Sequence, residues 1–211
     1  MSELASLISP PLSLSDIPQP HRLALGVMAS GSGSNFEAIA LAIAQQQLNA
    51  DIKLLIYNNP QATVTERADR YQVPHLLLNH RDYPTRESLD GEIVNQFRQA
   101  GVEWVIMAGW MRIVTPVLLT AFSQRVLNIH PSLLPNFRGV RAIEQALAAG
   151  VKVSGCTVHY AEIEVDSGPI VAQAVVPILA DDTVATLHAR IQTQEHRLFP
   201  LAIALAAYQI Q

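Results

Sequence analysis

Cysteine is almost absent from the 211 residues: Cys156 stands alone, which excludes an intrachain disulfide and any cysteine-rich metal site. A single thiol fits a reducing compartment, and its apolar neighbours point to an inert, buried group. Charge is also scarce. Only 15% of residues are Asp, Glu, Lys or Arg and the net charge is −4, so clustered cations of the kind that bind nucleic acid are not expected. No apolar run is long enough to span a bilayer. The first twenty residues carry Glu3 and Asp16 but no Lys or Arg, and so lack the basic start of a signal peptide. No dense set of His, Cys and carboxylates suggests a metal. What is present is 49% hydrophobic, enough for a substantial core in one domain, with or without an appended subdomain. The expectation is a soluble cytoplasmic protein.

Met1 to His21, with Pro10, Pro11, Pro18 and Pro20, reads as a flexible or surface-draped arm. Within it Leu4, Leu7 and Ile8 could form a small amphipathic patch. From Leu23 onward apolar runs alternate with helical patterns. Strands are expected at Leu23 to Ala29, Asp51 to Tyr57, His75 to Leu78, Val102 to Ala108 and Val126 to Ile129. Helices are expected at Phe36 to Leu48, Ala62 to Gln72, and from Thr85 as cap to about Ala100. A further helix begins at Thr115-Pro116, and another runs from Ala142 to Ala149 and ends at Gly150. Val153 to Val165 and Pro169 to Ile178 alternate like a pair of antiparallel strands. Asp181-Asp182-Thr183 caps a last helix, about Val184 to Tyr208. Alternation of this kind implies a parallel sheet with an antiparallel addition after it.

Val126-Leu127-Asn128-Ile129-His130-Pro131-Ser132-Leu133-Leu134-Pro135 is the most informative stretch. Pro131 cannot donate to a sheet ladder, so the strand stops at about His130. A carboxamide and an imidazole, two residues apart, then share one side of the strand at its carboxyl end, where open α/β sheets bind ligands. They could steady an oxyanion and move a proton, or they could cap a structural turn. Ser30-Gly31-Ser32-Gly33-Ser34-Asn35 lies between a strand and a helix, where free backbone N–H groups face an anion. Ser34 and Asn35 are placed to cap that helix. The loop lacks both the dinucleotide pattern and the Walker lysine, so a small phosphate monoester suits it better. Taken singly, Arg86 can be a solvated arginine, Trp110 to Val114 core, Asp166 a turn former, and Gln192 with Glu195 a solvated helix face.

Five segments in this order and spacing resemble the folate-dependent phosphoribosylglycinamide formyltransferases. They are the Ser30–Asn35 loop, Ala108-Gly109-Trp110-Met111-Arg112-Ile113, the Asn128–Pro135 stretch, Val165-Asp166-Ser167-Gly168-Pro169-Ile170, and Gln192-Thr193-Gln194-Glu195-His196. The Asn-x-His-Pro-Ser-Leu-Leu-Pro signature is shared by the wider formyltransferase superfamily. The Ser-Gly-x-Gly-Ser-Asn loop singles out the glycinamide ribonucleotide branch.

The resemblance implies a Rossmann-like α/β fold with a mostly parallel central sheet flanked by helices and antiparallel C-terminal strands. It implies transfer of the formyl group of 10-formyltetrahydrofolate, the co-substrate, to the amine of glycinamide ribonucleotide in purine synthesis, without a metal. By position, Gly33, Ser34 and Asn35 would hold the ribonucleotide phosphate, and Gln192, Thr193, Gln194 and Glu195 its ribose and glycinamide end. Arg86 would face the folate's glutamate tail. Met111, Arg112, Ile113 and Val114, with Asn128 and the loop Glu162, Ile163, Glu164, Val165 and Asp166, would surround the pteridine. Asn128, His130 and Asp166 would be catalytic. One catalytic domain is expected over residues 22–211, with a phosphate-binding half at 22–125 and a catalytic, folate-binding half at 126–211. It would act on small molecules alone, as a monomer or weak homodimer. The segment Asn136 to Arg141 is more basic than the family's Pro-Gly version. Rival readings are a formyl-folate hydrolase, the tRNA branch, and a phosphate sensor without turnover. The hydrolase and tRNA branches usually carry an added domain that this chain has no room for. A sensor has no reason to keep Asn128, His130 and Asp166 together.

Overall fold

A computed structural model of the chain describes residues 7–210. One eight-stranded sheet runs through it. Its strands are β1 (Leu7–Ser9), β2 (Leu23–Ala29), β3 (Ala50–Tyr57), β4 (His75–Leu77), β5 (Trp104–Met107), β6 (Val126–His130), β7 (Val153–Tyr160) and β8 (Ile170–Pro177). The spatial order is β1-β8-β7-β6-β5-β2-β3-β4. Strands β4, β3, β2, β5 and β6 are parallel, and β7, β8 and β1 add antiparallel pairs. The helices are α1 (Ser34–Ala44), α2 (Val64–Arg70), α3 (Arg86–Gln99), α4 (Pro116–Ala121), α5 (Ala142–Ala149) and α6 (Val184–Gln209).

β2 is buried on both faces because helices cover both. Leu25, Val27 and Ala29 join the cluster built with α1 and α6, whereas Met28 joins the cluster built with α3 and α4. That is the period-two alternation of a strand read as one continuous apolar run. Fully buried Phe36, Phe97 and Phe199 anchor these layers, each worth about 1.5–3 kcal/mol in apolar transfer.

β2 starts the parallel series in mid-sheet, with β3 and β4 on one side and β5 and β6 on the other. The chain therefore reverses direction between β2 and β5, opening a crevice at the strands' carboxyl ends. The loops after β2, β5 and β6 all open there.

Two expectations change. The arm read as flexible contributes β1, whose register places Ile8 opposite Ala174, and it buries Ile17. The main-chain groups on the outer edge of β8 require a partner or water, and a three-residue strand supplies one. Leu4, from the proposed amphipathic patch, lies outside the described residues. The strand expected to reach Val165 ends at Tyr160, because the following segment turns away to carry Asp166. Cys156 is fully buried and unpaired, and burial pushes its thiol pKa far up.

Candidate active site

β6 ends in the side chains of Asn128 and His130, and the antiparallel strand β7 places His159 directly opposite Asn128. Asp166 arrives from the turn between β7 and β8. Its backbone is left-handed at φ 54°, a conformation Asp tolerates better than most residues. Gly168 makes the turn possible, since a Cβ there would overlap the Tyr160 carbonyl.

The groups form a continuous line. Asn128 Nδ2 lies 3.1 Å from His159 Nε2, His159 Nε2 3.5 Å from one Asp166 carboxylate oxygen, and the other oxygen 3.3 Å from His130 Nδ1. His159 donates from Nδ1 to the Tyr160 carbonyl at 2.8 Å. When neutral, its Nε2 therefore accepts from Asn128; when protonated, it can donate to Asp166. Either way one Asn128 N–H stays free for a ligand oxygen. His130 donates from Nε2 to the Phe137 carbonyl at 2.9 Å. Its neighbours at both ring nitrogens, the Phe137 carbonyl and the Asp166 carboxylate, are acceptors only.

The basic loop from Asn136 to Arg141 closes this site from above. Gly139 N–H donates to Asp166 at 2.8 Å, and Arg138 pairs with Glu164 at 2.9 Å. Ser132 donates to the Asn136 carbonyl at 2.7 Å. Thr157 donates to the Ser132 carbonyl at 2.7 Å and accepts from Leu134 N–H at 3.1 Å. The Pro-Ser-Leu-Leu-Pro turn is thus pinned to β7. Burial works to raise the Asp166 pKa, but the His159 hydrogen bond, the Gly139 N–H and the His130 charge outweigh it and hold the carboxylate below its usual range.

The Gly/Ser loop differs from expectation in one respect. The helix cap of α1 is Gly33 at φ 76°, with no side-chain cap bond. Ser34 and Asn35 are engaged instead by α6: Gln192 donates to Ser34 Oγ at 2.9 Å, and Asn35 donates to Glu195 at 2.9 Å. With no side chain capping the first turn, its backbone N–H groups remain available to an anion. The Asn35 Oδ1 is buried and unpartnered. Glu195 is 5% exposed, and burial raises its pKa against the opposing pull of Asn35 and His188.

A buried acid with a raised pKa costs stability once ionised. The protein therefore loses stability as pH rises from the unfolded-state value through the folded one. Glu195→Gln should raise the melting temperature by a few degrees at pH 8, with the gain fading toward pH 4. Scanning calorimetry at both values checks this.

Not every residue singled out in the sequence reaches these groups. Thr193 is exposed and bonds its own helix at Ala189, and Gln194 accepts from Arg197 at 3.3 Å. Arg86 opens α3 at the surface. Met111, Ile113, Ile163 and Val165 are 80%, 50%, 67% and 40% exposed, leaving four large apolar side chains in water on two loops. Val114 is buried. At the base of these loops a cavity of about 460 Å³ is walled by Leu119, Phe122, Val126, Tyr160, Ala161 and Glu162, among others. A recess with both apolar and polar walls, the latter including Gln124 and Glu162, below exposed apolar lips suits a flat ring that carries polar edges.

His159 escaped sequence reasoning, although a lone imidazole in an apolar strand, two residues from Thr157, was a signal. The Phe137 carbonyl and Gly139 N–H had none, being main chain. Among the described residues no group of three or more His, Cys, Asp or Glu is arranged to hold a metal. No helix of the described residues is long and apolar enough to cross a membrane.

The formyl transferase family model matches residues 23–203. The chain is 42% identical over 177 residues to the phosphoribosylglycinamide formyltransferase of Bacillus subtilis, covering 84% of this chain and 91% of that one. It is 39% identical to part of the human trifunctional purine biosynthetic protein adenosine-3, covering 87% of this chain and 18% of that longer one. The crystal structure of glycinamide ribonucleotide transformylase 1 from Symbiobacterium toebii superposes with a TM-score of 0.87 at 44% identity, covering 89% of this chain and 88% of that one. With sequence and fold in agreement over nearly the whole described chain, the protein belongs to the phosphoribosylglycinamide formyltransferase branch of the formyl transferase family.

Proposed function

We propose that this chain moves the formyl group of 10-formyltetrahydrofolate onto the amine of glycinamide ribonucleotide, with Asn128, His130 and Asp166 at the reacting centre. The observation that carries this reading is the line Asn128–His159–Asp166–His130 at one end of the sheet, beside a helix whose first turn has no side-chain cap. Residues 22–211 serve as one catalytic domain, because β5 and β6 pair across its two halves.

The amine adds to the formyl carbon, the bond to the folate nitrogen breaks, and one proton passes from the amine to that departing nitrogen. Negative charge builds on the formyl oxygen as this happens. Asn128 donates its free N–H there, and the His130 Nδ1–H, which faces Asp166 at 3.3 Å, is shared between that carboxylate and the formyl oxygen while Nε2 stays with the Phe137 carbonyl. Asp166 faces His130 Nδ1 and orients its ring, and a water held by its carboxylate can carry the proton between the two nitrogens.

Gly33, Ser34 and Asn35 hold the phosphate through backbone and side-chain donors, while Gln192 and Glu195 fix the loop and meet the ribose and glycinamide end. The pteridine lies over the cavity at Val126 and Ala161, between the 111–114 and 162–166 loops, with Arg86 toward its glutamate. The residues present fit the co-substrate: a recess walled by both apolar and polar side chains for the ring and a cation for its tail. A reducing, aqueous compartment suits both the substrates and Cys156.

Incubation with both substrates while folate absorbance is followed tests the reading. Tetrahydrofolate should appear only when the ribonucleotide is present. Release without it indicates a hydrolase, and no release at all indicates a sensor.

A further inference from the structure

Two successive carbonyls of the Gly/Ser loop are held by one short helix. Val64 N–H, at the start of α2, donates to the Gly31 carbonyl at 3.2 Å. Three residues on, Arg67 donates from Nε to the Ser32 carbonyl at 2.9 Å. Arg67 also pairs through Nη1 with Glu37, which lies in the first turn of α1. One guanidinium therefore joins α2, α1 and the loop that leads into α1. Its side chain is 29% exposed and that of Glu37 is 24% exposed, so the pair is partly withdrawn from water. Arg70 meets the same carboxylate from the surface.

In a planar trans peptide the carbonyl and the N–H that follows it point opposite ways. Holding the Gly31 and Ser32 carbonyls toward α2 therefore turns the Ser32 and Gly33 N–H groups away from it. Gly33 is the cap of α1, so these two amides run on into the unpaired N–H groups of the helix's first turn. Adjacent amides that face one way form an anion cradle. Val64 supports the cradle from behind, packed so closely on Gly33 that a Cβ there would overlap it. Glu37 works against the cradle, because a carboxylate in the first turn repels an anion at the same helix end. Arg67 neutralises that carboxylate with the same group that grips the loop.

We propose that Arg67 is a positioning residue for the ribonucleotide phosphate: by gripping the Ser32 carbonyl it aims the Ser32 and Gly33 amides at the anion, without touching the substrate itself. The inference rests on the phosphate reading of the loop given above and adds to it the side chain that holds the loop in shape.

Steady-state kinetics with glycinamide ribonucleotide, and with the riboside that lacks its phosphate, test this in wild type, Arg67→Met, Arg67→Lys and Arg70→Ala. Lysine carries a methylene where arginine has Nε–H, so Arg67→Lys keeps a cation for Glu37 but loses the bond to Ser32. Arg70→Ala removes a charge from the same carboxylate and leaves the loop bond in place. The ribonucleotide KM should rise about tenfold in Arg67→Met and about fivefold in Arg67→Lys, with kcat within about twofold of wild type. Arg70→Ala should shift that KM by about twofold or less. The kcat/KM for the riboside should stay near wild type in every variant, because only the phosphate senses the amides. A wild-type ribonucleotide KM in a folded Arg67→Lys, or an equal loss with the riboside, overturns the proposal. Arg67→Lys decides the matter alone if Arg67→Met does not fold. If wild type prefers the ribonucleotide and the Arg67 variants keep that preference in full, only the positioning role is wrong. If wild type handles both substrates alike, the phosphate reading fails and takes this inference with it.

Discussion

Asp166→Asn should lower kcat by roughly two to three orders of magnitude, the range seen when a preorganised charge or donor is lost from a reacting centre. Asparagine is the informative replacement. It tolerates the left-handed backbone at this position, and its carbonyl oxygen can still accept from Gly139 N–H. What disappears is the negative charge that faces His130 at 3.3 Å and His159 at 3.5 Å. His130→Ala removes the other half of the pair and should cost at least as much. Because Pro131, Ser132 and Thr157 pin the turn independently of both side chains, circular dichroism and gel filtration should stay near wild type. Near-normal turnover in both variants would remove these residues from the mechanism.

The pH dependence adds a constraint. Burial alone would raise the Asp166 pKa, but its hydrogen bonds and the adjacent imidazoles leave it lowered. A depressed carboxylate contributes its stabilisation above the unfolded-state pKa and loses it only as pH falls through the folded one. Asp166 is therefore ionised throughout the neutral range, and any loss of activity above about pH 5 has another origin.

Gly33→Ala is the second variant with a large expected effect, and here the cause is steric. At φ 76° an L side chain is strained, by about 1–2 kcal/mol. The new methyl would also overlap the Val64 side chain on α2, adding about 1–3 kcal/mol of overpacking. The expected melting shift is about 5–15 °C downward for a domain of this size. Relief of the overlap has to move the first turn of α1. That would spoil the aim of its N–H groups and raise the KM for the ribonucleotide by on the order of tenfold or more, with the folate KM much less affected. Gly31→Ala is the matched control, since a Cβ there meets nothing within 4 Å. If both variants behave alike, loop geometry is not what binds the phosphate.

Much of this molecule is legible in its sequence. The limits of β2, the caps of α3, α4 and α6, and the end of β6 before Pro131 all followed from local rules. Burial on two faces leaves a continuous apolar run, a capping residue competes for orphan N–H groups, and proline cannot donate. These are short-range effects, carried by neighbouring residues. The arm escapes such rules for the opposite reason: Leu7–Ser9 is held by the edge of β8, which is remote in sequence and invisible to composition.

Asn128 and His130 could be paired from their spacing alone, since alternation along a strand is a local property. That Asp166 reaches His130, that His159 stands between Asn128 and Asp166, and that Glu195 holds Asn35 depended on the tertiary structure. Each of these contacts joins segments whose separation is set by strand order and register, which no local pattern encodes. The Phe137 carbonyl and Gly139 N–H lie further still from view, because main-chain groups are the same in every residue and only the path of the loop decides where they point. The sequence by itself determined which chemical groups the protein would possess and on which elements they would ride. Folding the sheet decided which of them would touch, because a hydrogen bond depends on distances of tenths of an ångström that only the assembled layers define.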